Sequence, residues 1–167
     1  KGLKIRVQEN PGLLALFSAL GAKTVTVTWT ELYTALQTGV ADGAETELAS
    51  ADATKLFEVM RTATILNHAW NLQPVLINEK FFQSLTAQEK MIVMRGVEMG
   101  TLAQNGFNRA VEDAVIQKNK KAGVEFYYPN DAEMDQFRKI GQKAYLETLS
   151  KSVSKEWVDK TFKAVAK

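Results

Sequence analysis

Arg6, Trp29 and Thr46 stand in three successive segments of the chain, each where a strand-like residue pattern gives way to a helix-like one. Their chemistry is complementary. Arg6 offers a planar fork of N–H donors that suits a carboxylate, Trp29 a flat apolar wall, and Thr46 a hydroxyl backed by main-chain amides at a helix start. On one rim the three would hold a small organic anion. A structural assignment competes with this one: Arg6 pairs with Asp42 or Glu45 at the strand ends, and Trp29 covers core. His68, the single histidine, could act as a general base or ligand, but no Ser, Cys or paired carboxylate stands at a spacing that completes a catalytic set. A structural role fits it better. Asp42, Glu45 and Glu47 could face a hard cation, yet one short cluster lacks the ligand count, and acidic residues near helix starts complement the macrodipole.

These residues need a scaffold that gathers strand ends. Leu3, Ile5 and Val7 alternate with Lys4 and Arg6, and Pro11 to Leu20 carries Leu13, Leu14, Leu16 and Phe17 as a helix stopped at Gly21. Thr24 to Thr28 predicts a second strand, followed by a helix capped by Thr30 that holds Leu32, Tyr33 and Leu36 and ends at Gly39. A brief third strand lies within Val40 to Glu45, with Thr46 as the cap of a helix running to about Met60. Strand alternating with helix predicts a parallel sheet, at whose carboxyl edge ligands bind.

Ala63 to Leu66 and Val75 to Asn78 read as two further strands flanking Asn67-His68-Ala69-Trp70-Asn71. Thr86 and Glu89 have capping-box spacing, and from there to about Lys121 the residues Ile92, Gly96, Met99, Ala103, Phe107, Ala110 and Ala114 fall at helical intervals. An unbroken helix of that extent is about 50 Å long, against about 40 Å for a compact sphere of this chain length. It would overhang its own globule unless Gly96, Gly100 and Gly106 break it. Val124 to Tyr128 predicts a last strand, Asn130 with Glu133 caps a helix, and Val153, Trp157, Phe162 and Val165 mark a final amphipathic helix.

Composition narrows the function classes. Lys plus Arg number 21 and Asp plus Glu 19, a net charge of +2 that argues against a nucleic-acid partner. The absence of cysteine removes disulfides, thiolate metal sites and cysteine nucleophiles. No apolar run approaches the roughly 18 residues of a membrane span, so any membrane association is expected to be peripheral. Walker, G-x-G-x-x-G, H-E-x-x-H and nucleophile-elbow motifs are missing; the loop after the first strand reads Gln8-Glu9-Asn10-Pro11-Gly12. No cofactor is expected. The chain starts at Lys1 without an apolar signal segment, and its natural N-terminus is expected to have been removed.

Gly2-Leu3-Lys4-Ile5-Arg6-Val7, Gly21-Ala22, Glu31-Leu32-Tyr33-Thr34-Ala35-Leu36-Gln37-Thr38-Gly39 and Asp42-Gly43-Ala44-Glu45 together resemble the DctP-type solute-binding proteins of tripartite ATP-independent periplasmic (TRAP) transporters. Similarity continues more weakly through Asn67-His68 and Leu85-Thr86-Ala87-Gln88-Glu89. The resemblance implies an α/β, periplasmic-binding-protein-like fold with parallel β-α-β units, whose two lobes close on a small organic acid for delivery to sodium-coupled membrane transporter subunits. It implies that Arg6 pairs with the ligand carboxylate, that Trp29 lines the pocket, and that Thr46 contacts the ligand; Trp70, Asn71 and Gln73 would border the cleft. Thr46 replaces an asparagine common in relatives, and Gln8 a common proline. Relatives are about twice this long, so the chain is expected to be a C-terminal portion with the first lobe largely missing. Residues 1–72 and 112–167 would then belong to the second lobe, and 73–111, with a long lobe-spanning helix, would support the absent one. Two other readings stay open: an enzyme acting on a small acid through His68, and a structural or interaction domain that binds no ligand.

Overall fold

The computed structural model describes residues 2–69 and 72–165. The chain forms two compact units, one of Lys1–Leu66 with Val124–Lys167 and one of Asn67–Gly123.

In the first unit, β1 (Lys4–Arg6) lies between β2 (Lys23–Val25) and β3 (Gly43–Ala44), all parallel, with Arg6 opposite Val25 on one side and Ala44 on the other. Between β1 and β2 runs α1 (Pro11–Ala19). Its start is set by Asn10, whose side-chain oxygen accepts from the amides of Gly12 and Leu13, and by Pro11, which lacks the N–H that a first turn leaves unpaired. Between β2 and β3 come a 3-10 turn, Trp29–Glu31, and α2 (Leu32–Gln37). Val7, Leu32, Ala41 and Leu56 are buried almost completely and anchor the core. A parallel pair, β4 (Thr62–Thr64) with β5 (Glu125–Tyr127), stacks Phe126 against Phe57 at 5.9 Å between ring centres. The parallel α/β architecture expected from the alternation of patterns is what the chain adopts.

Two expected caps are corrected. Thr30 lies inside the 3-10 turn, where Thr28 Oγ1 donates to Glu31 (2.7 Å), and α2 begins at Leu32. Thr46 also caps nothing: α3 spans Leu48–Ala53 with Glu47 at its N-cap position, and the helix expected to reach Met60 stops as Lys55 turns left-handed at φ 60°. That conformation costs about 1–3 kcal/mol in a non-glycine residue. It turns the chain into a 3-10 segment, Leu56–Glu58, that buries Leu56 and Phe57, each contributing about 1.5–3 kcal/mol. Burial outweighs the strain.

The unit closes with α6 (Asp131–Leu149) and α7 (Lys155–Val165). Asn130 and Glu133 form the expected capping box, and Tyr127 Oη donates to both Glu133 oxygens at 2.7 Å. The Tyr127 hydroxyl and the Asn130 amide hold the Glu133 carboxyl below its usual range. α6 packs along α1, and each contributes a glycine to the crossing. A Cβ on Gly12 would lie 2.2 Å from Tyr145 Cε2, and one on Gly141 2.6 Å from Leu16 Cδ1.

In the second unit, α4 (Glu79–Ser84) is capped by Asn78, whose side chain accepts from the Phe81 amide at 3.0 Å. The strand expected over Val75–Asn78 does not form. Residues 72–78 carry no regular structure and no described strand pairs with them, so their apolar β-branched run lacks the ladder it would need. α5 (Ala87–Lys121) is one uninterrupted helix of 35 residues that passes through Gly96, Gly100 and Gly106 without a break. Its start is the expected capping box: Thr86 Oγ1 accepts from the Glu89 amide (3.3 Å), and Glu89 Oε2 accepts from the Thr86 amide (2.8 Å).

Gly12→Ala is expected to lower stability by about 1–3 kcal/mol through overpacking, read as a reduced urea midpoint at constant m-value, with Tyr145→Ala in the same chain restoring part of the loss. An unchanged midpoint would show that the α1–α6 crossing has room to spare.

Candidate functional site

Period-two alternation puts Arg6 on the same face of β1 as Lys4, away from Leu3, Ile5 and Val7. The structure nevertheless buries it: Arg6 is 5% exposed and Leu3 57%. A middle strand of a parallel sheet is covered on both faces, and the covering at its carboxyl end is made by the chain leaving β2. Arg6 Nε donates to the Val27 carbonyl at 3.0 Å, and the guanidinium carbon sits 5.8 Å from the centre of the Trp29 ring. Arg6 Nη1 is buried and has no hydrogen-bond partner among the described residues. Burial pulls the guanidinium pKa down from its ordinary range, opposed by the charge of Glu45. The group remains a cation at neutral pH.

The remaining partners show why Nη1 is left over. Asp42, one of the two acids that could have neutralised Arg6, is engaged by Lys4: its Oδ2 accepts from the Lys4 amide at 2.8 Å and its Oδ1 lies 3.6 Å from Lys4 Nζ. Lys4 Nζ also donates to the Gly39 carbonyl. Glu45, the other, is positioned by its amide, which donates to the Arg6 carbonyl at 2.9 Å just past β3. Half-buried Thr46 follows it. The strand ends therefore gather Arg6 with Trp29 in direct contact, and place Glu45 and Thr46 beside the end of β1. A buried cationic donor without an acceptor is costly, and an arriving carboxylate would relieve that cost with a charge-assisted hydrogen bond. Trp29, 38% exposed, has apolar surface left for the body of such a ligand.

The other expected residues are placed differently. Trp70 and Asn71 lie outside the described residues. Gln73 is exposed in the irregular segment of the second unit, and His68 is half-buried in that same unit. Among the described residues no three His, Cys, Asp or Glu side chains come together as a metal site. Sequence reasoning missed the Val27 carbonyl, which orients Arg6. A main-chain acceptor carries no residue-type signal. The Asp-Gly-x-Glu segment did hold the signal for Glu45.

Residues 1–152 match the bacterial extracellular solute-binding protein family 7, DctP. The chain is 33% identical over 132 residues to the C4-dicarboxylate-binding periplasmic protein DctP of Rhodobacter capsulatus, which covers 79% of this chain and 40% of that protein. It is 30% identical over 147 residues to the sialic acid-binding periplasmic protein SiaP of Vibrio cholerae, covering 88% and 45%. A TRAP periplasmic solute-binding protein from Xanthobacter autotrophicus, solved with bound β-D-galacturonate, superposes with a TM-score of 0.84 at 26% identity over 95% of this chain and 51% of its own. The chain thus spans about half the length of these relatives. No described helix is long and apolar enough to cross a membrane.

Arg6→Met removes a buried charge with an unpaired donor while keeping much of the volume, so the ligand-free protein is expected to be as stable as the parent or about 1 kcal/mol more stable in urea titration. A loss beyond about 2 kcal/mol would mean that the Val27 hydrogen bond holds the strand ends together.

Proposed function

This chain belongs to the DctP family of bacterial extracellular solute-binding proteins, a family of transport proteins and not of enzymes, and we propose that it is the arginine-bearing half of a periplasmic receptor for a small organic acid. The observation that supports this reading most is the buried, unpartnered Nη1 of Arg6 beside the Trp29 ring.

A ligand carboxylate accepts from Arg6 Nη1 while Nε stays on the Val27 carbonyl, so the guanidinium arrives pre-oriented and loses little freedom on binding. Trp29 packs the apolar body of the acid and Thr46 offers its hydroxyl from the neighbouring strand end. The remainder of the full-length receptor supplies the opposing wall, and closure of the two lobes excludes water, which strengthens the ion pair. The loaded receptor delivers its acid to the membrane subunits of a sodium-coupled TRAP transporter. The relatives' ligands include a C4-dicarboxylate, sialic acid and galacturonate, all carboxylates by name or chemistry.

Leaving a buried ligand carboxylate unpaired costs roughly 2–5 kcal/mol, or about 30-fold to several thousand-fold in affinity. Arg6→Ala in the complete receptor is therefore expected to weaken organic-acid binding by at least about 30-fold in isothermal titration while the far-UV circular dichroism is unchanged. Affinity kept within about threefold, roughly 0.7 kcal/mol, would falsify the role given to Arg6.

A further inference from the structure

Past Val25 the chain has left the sheet, yet the residues that follow carry both fixed points of the anion site. β2 is an outer strand of the described sheet, and the last main-chain bond that ties it to β1 runs from the Val7 amide to the Val25 carbonyl at 3.2 Å. Val27 then supplies the acceptor for Arg6 Nε at 3.0 Å, and Trp29 the ring 5.8 Å from the guanidinium carbon. Thr28 stands between them. A carbonyl outside the ladder keeps its direction only if something else holds its segment.

Side chains of the same segment do so. Thr28 Oγ1 donates to Glu31 Oε2 at 2.7 Å. A hydroxyl has one proton, so in the 3.2 Å contact between Thr28 Oγ1 and Thr30 Oγ1 the donor is Thr30. The three side chains form one directed chain, Thr30 to Thr28 to Glu31, that ends on a carboxylate in a charge-assisted bond. The main chain closes the same loop: the Glu31 amide donates to the Thr28 carbonyl at 3.2 Å, and the Leu32 amide to the Trp29 carbonyl. Thr28 and Glu31 have capping-box spacing, but the Thr28 side chain accepts from no amide of the turn. Residues 28 to 31 are all exposed, and exposed bonds of this kind add little to global stability. Their effect is on orientation. We propose that Thr28 and Glu31 are positioning residues of the anion site, whose clamp holds the Val27 carbonyl on Arg6 Nε and the Trp29 ring against the guanidinium before any acid arrives. An arginine held beforehand in its binding geometry spares the complex the loss of rotamer freedom that ordering it would cost. For its purpose, though not for its geometry, the clamp rests on Arg6 being the carboxylate-reading group.

Hydrogen exchange at the Arg6 Nε–H reads the clamp directly, by 15N NMR of the full-length protein without added organic acid, the signal being assigned by its loss in Arg6→Lys. Thr28→Val keeps the shape of the side chain and removes the donor. It is expected to speed exchange at Arg6 Nε about 10-fold while the amides of α2 and β1 keep their parent rates, and Thr28→Ser, which keeps the hydroxyl, to stay at the parent rate. Glu31→Ala cuts the clamp from its other end; it is expected to give the same excess at Nε over α2, and it carries the comparison should Thr28→Val not fold. Unchanged exchange at Nε in both variants would overturn the proposal. So would equal acceleration at Nε and throughout α2, the signature of a pair that only starts the helix. Because no acid is used, a failure of Arg6 to bind carboxylates would show in the Arg6→Ala titration and leave this result untouched.

Discussion

A cation buried with one hydrogen bond too few governs the first unit. The Arg6 guanidinium is anchored by the Val27 carbonyl, faced by the Trp29 ring and influenced by Glu45, yet its Nη1 remains without an acceptor among the described residues. Full pairing would have made the site a structural ion pair with no affinity to spare. Lys4 prevents that by holding Asp42 through both its amide and its ammonium group. The division of partners between two neighbouring basic residues leaves a donor unpaired at the end of β1 among the described residues.

Holding such a group in place demands a rigid frame. The three strands are short, two or three residues each, and the parallel pairing of Arg6 between Val25 and Ala44 fixes where the side chain emerges. α1 and α6 approach closely because Gly12 and Gly141 leave no side chain in the crossing. The strain at Lys55 serves the same end by bringing Leu56 and Phe57 into the core. Charge burial at the site is thus carried by packing elsewhere in the unit, consistent with functional sites relying on over-determined surroundings.

Much of this was legible in the residues. The capping boxes at Thr86–Glu89 and Asn130–Glu133 formed as spaced, because both halves of the motif are encoded within four residues. Arg6 at the end of the first strand also followed from alternation, whereas β2 ends at Val25 and not at Thr28, so that Trp29 opens the 3-10 turn beyond it, and Thr46 lies two residues past β3. What failed depended on distant atoms. Thr30 and Thr46 had cap chemistry, but α2 starts at the buried Leu32 and α3 at Leu48, two residues past each threonine. Val75–Asn78 had strand composition without a described partner strand. Arg6 looked like the polar side of an amphipathic strand, and only the covering chain after β2 reveals that both sides are enclosed.

The most direct test of the anion site is a chemical cycle. The full-length receptor and its Arg6→Met variant are titrated calorimetrically with a binding organic acid, chosen from uronates and C4-dicarboxylates, and with the primary amide of the same acid. If Arg6 reads the carboxylate, converting acid to amide costs the parent at least about 30-fold in affinity and the variant less than about threefold, so the two losses are strongly coupled. Equal losses in both proteins would place the carboxylate on some other group and contradict the account.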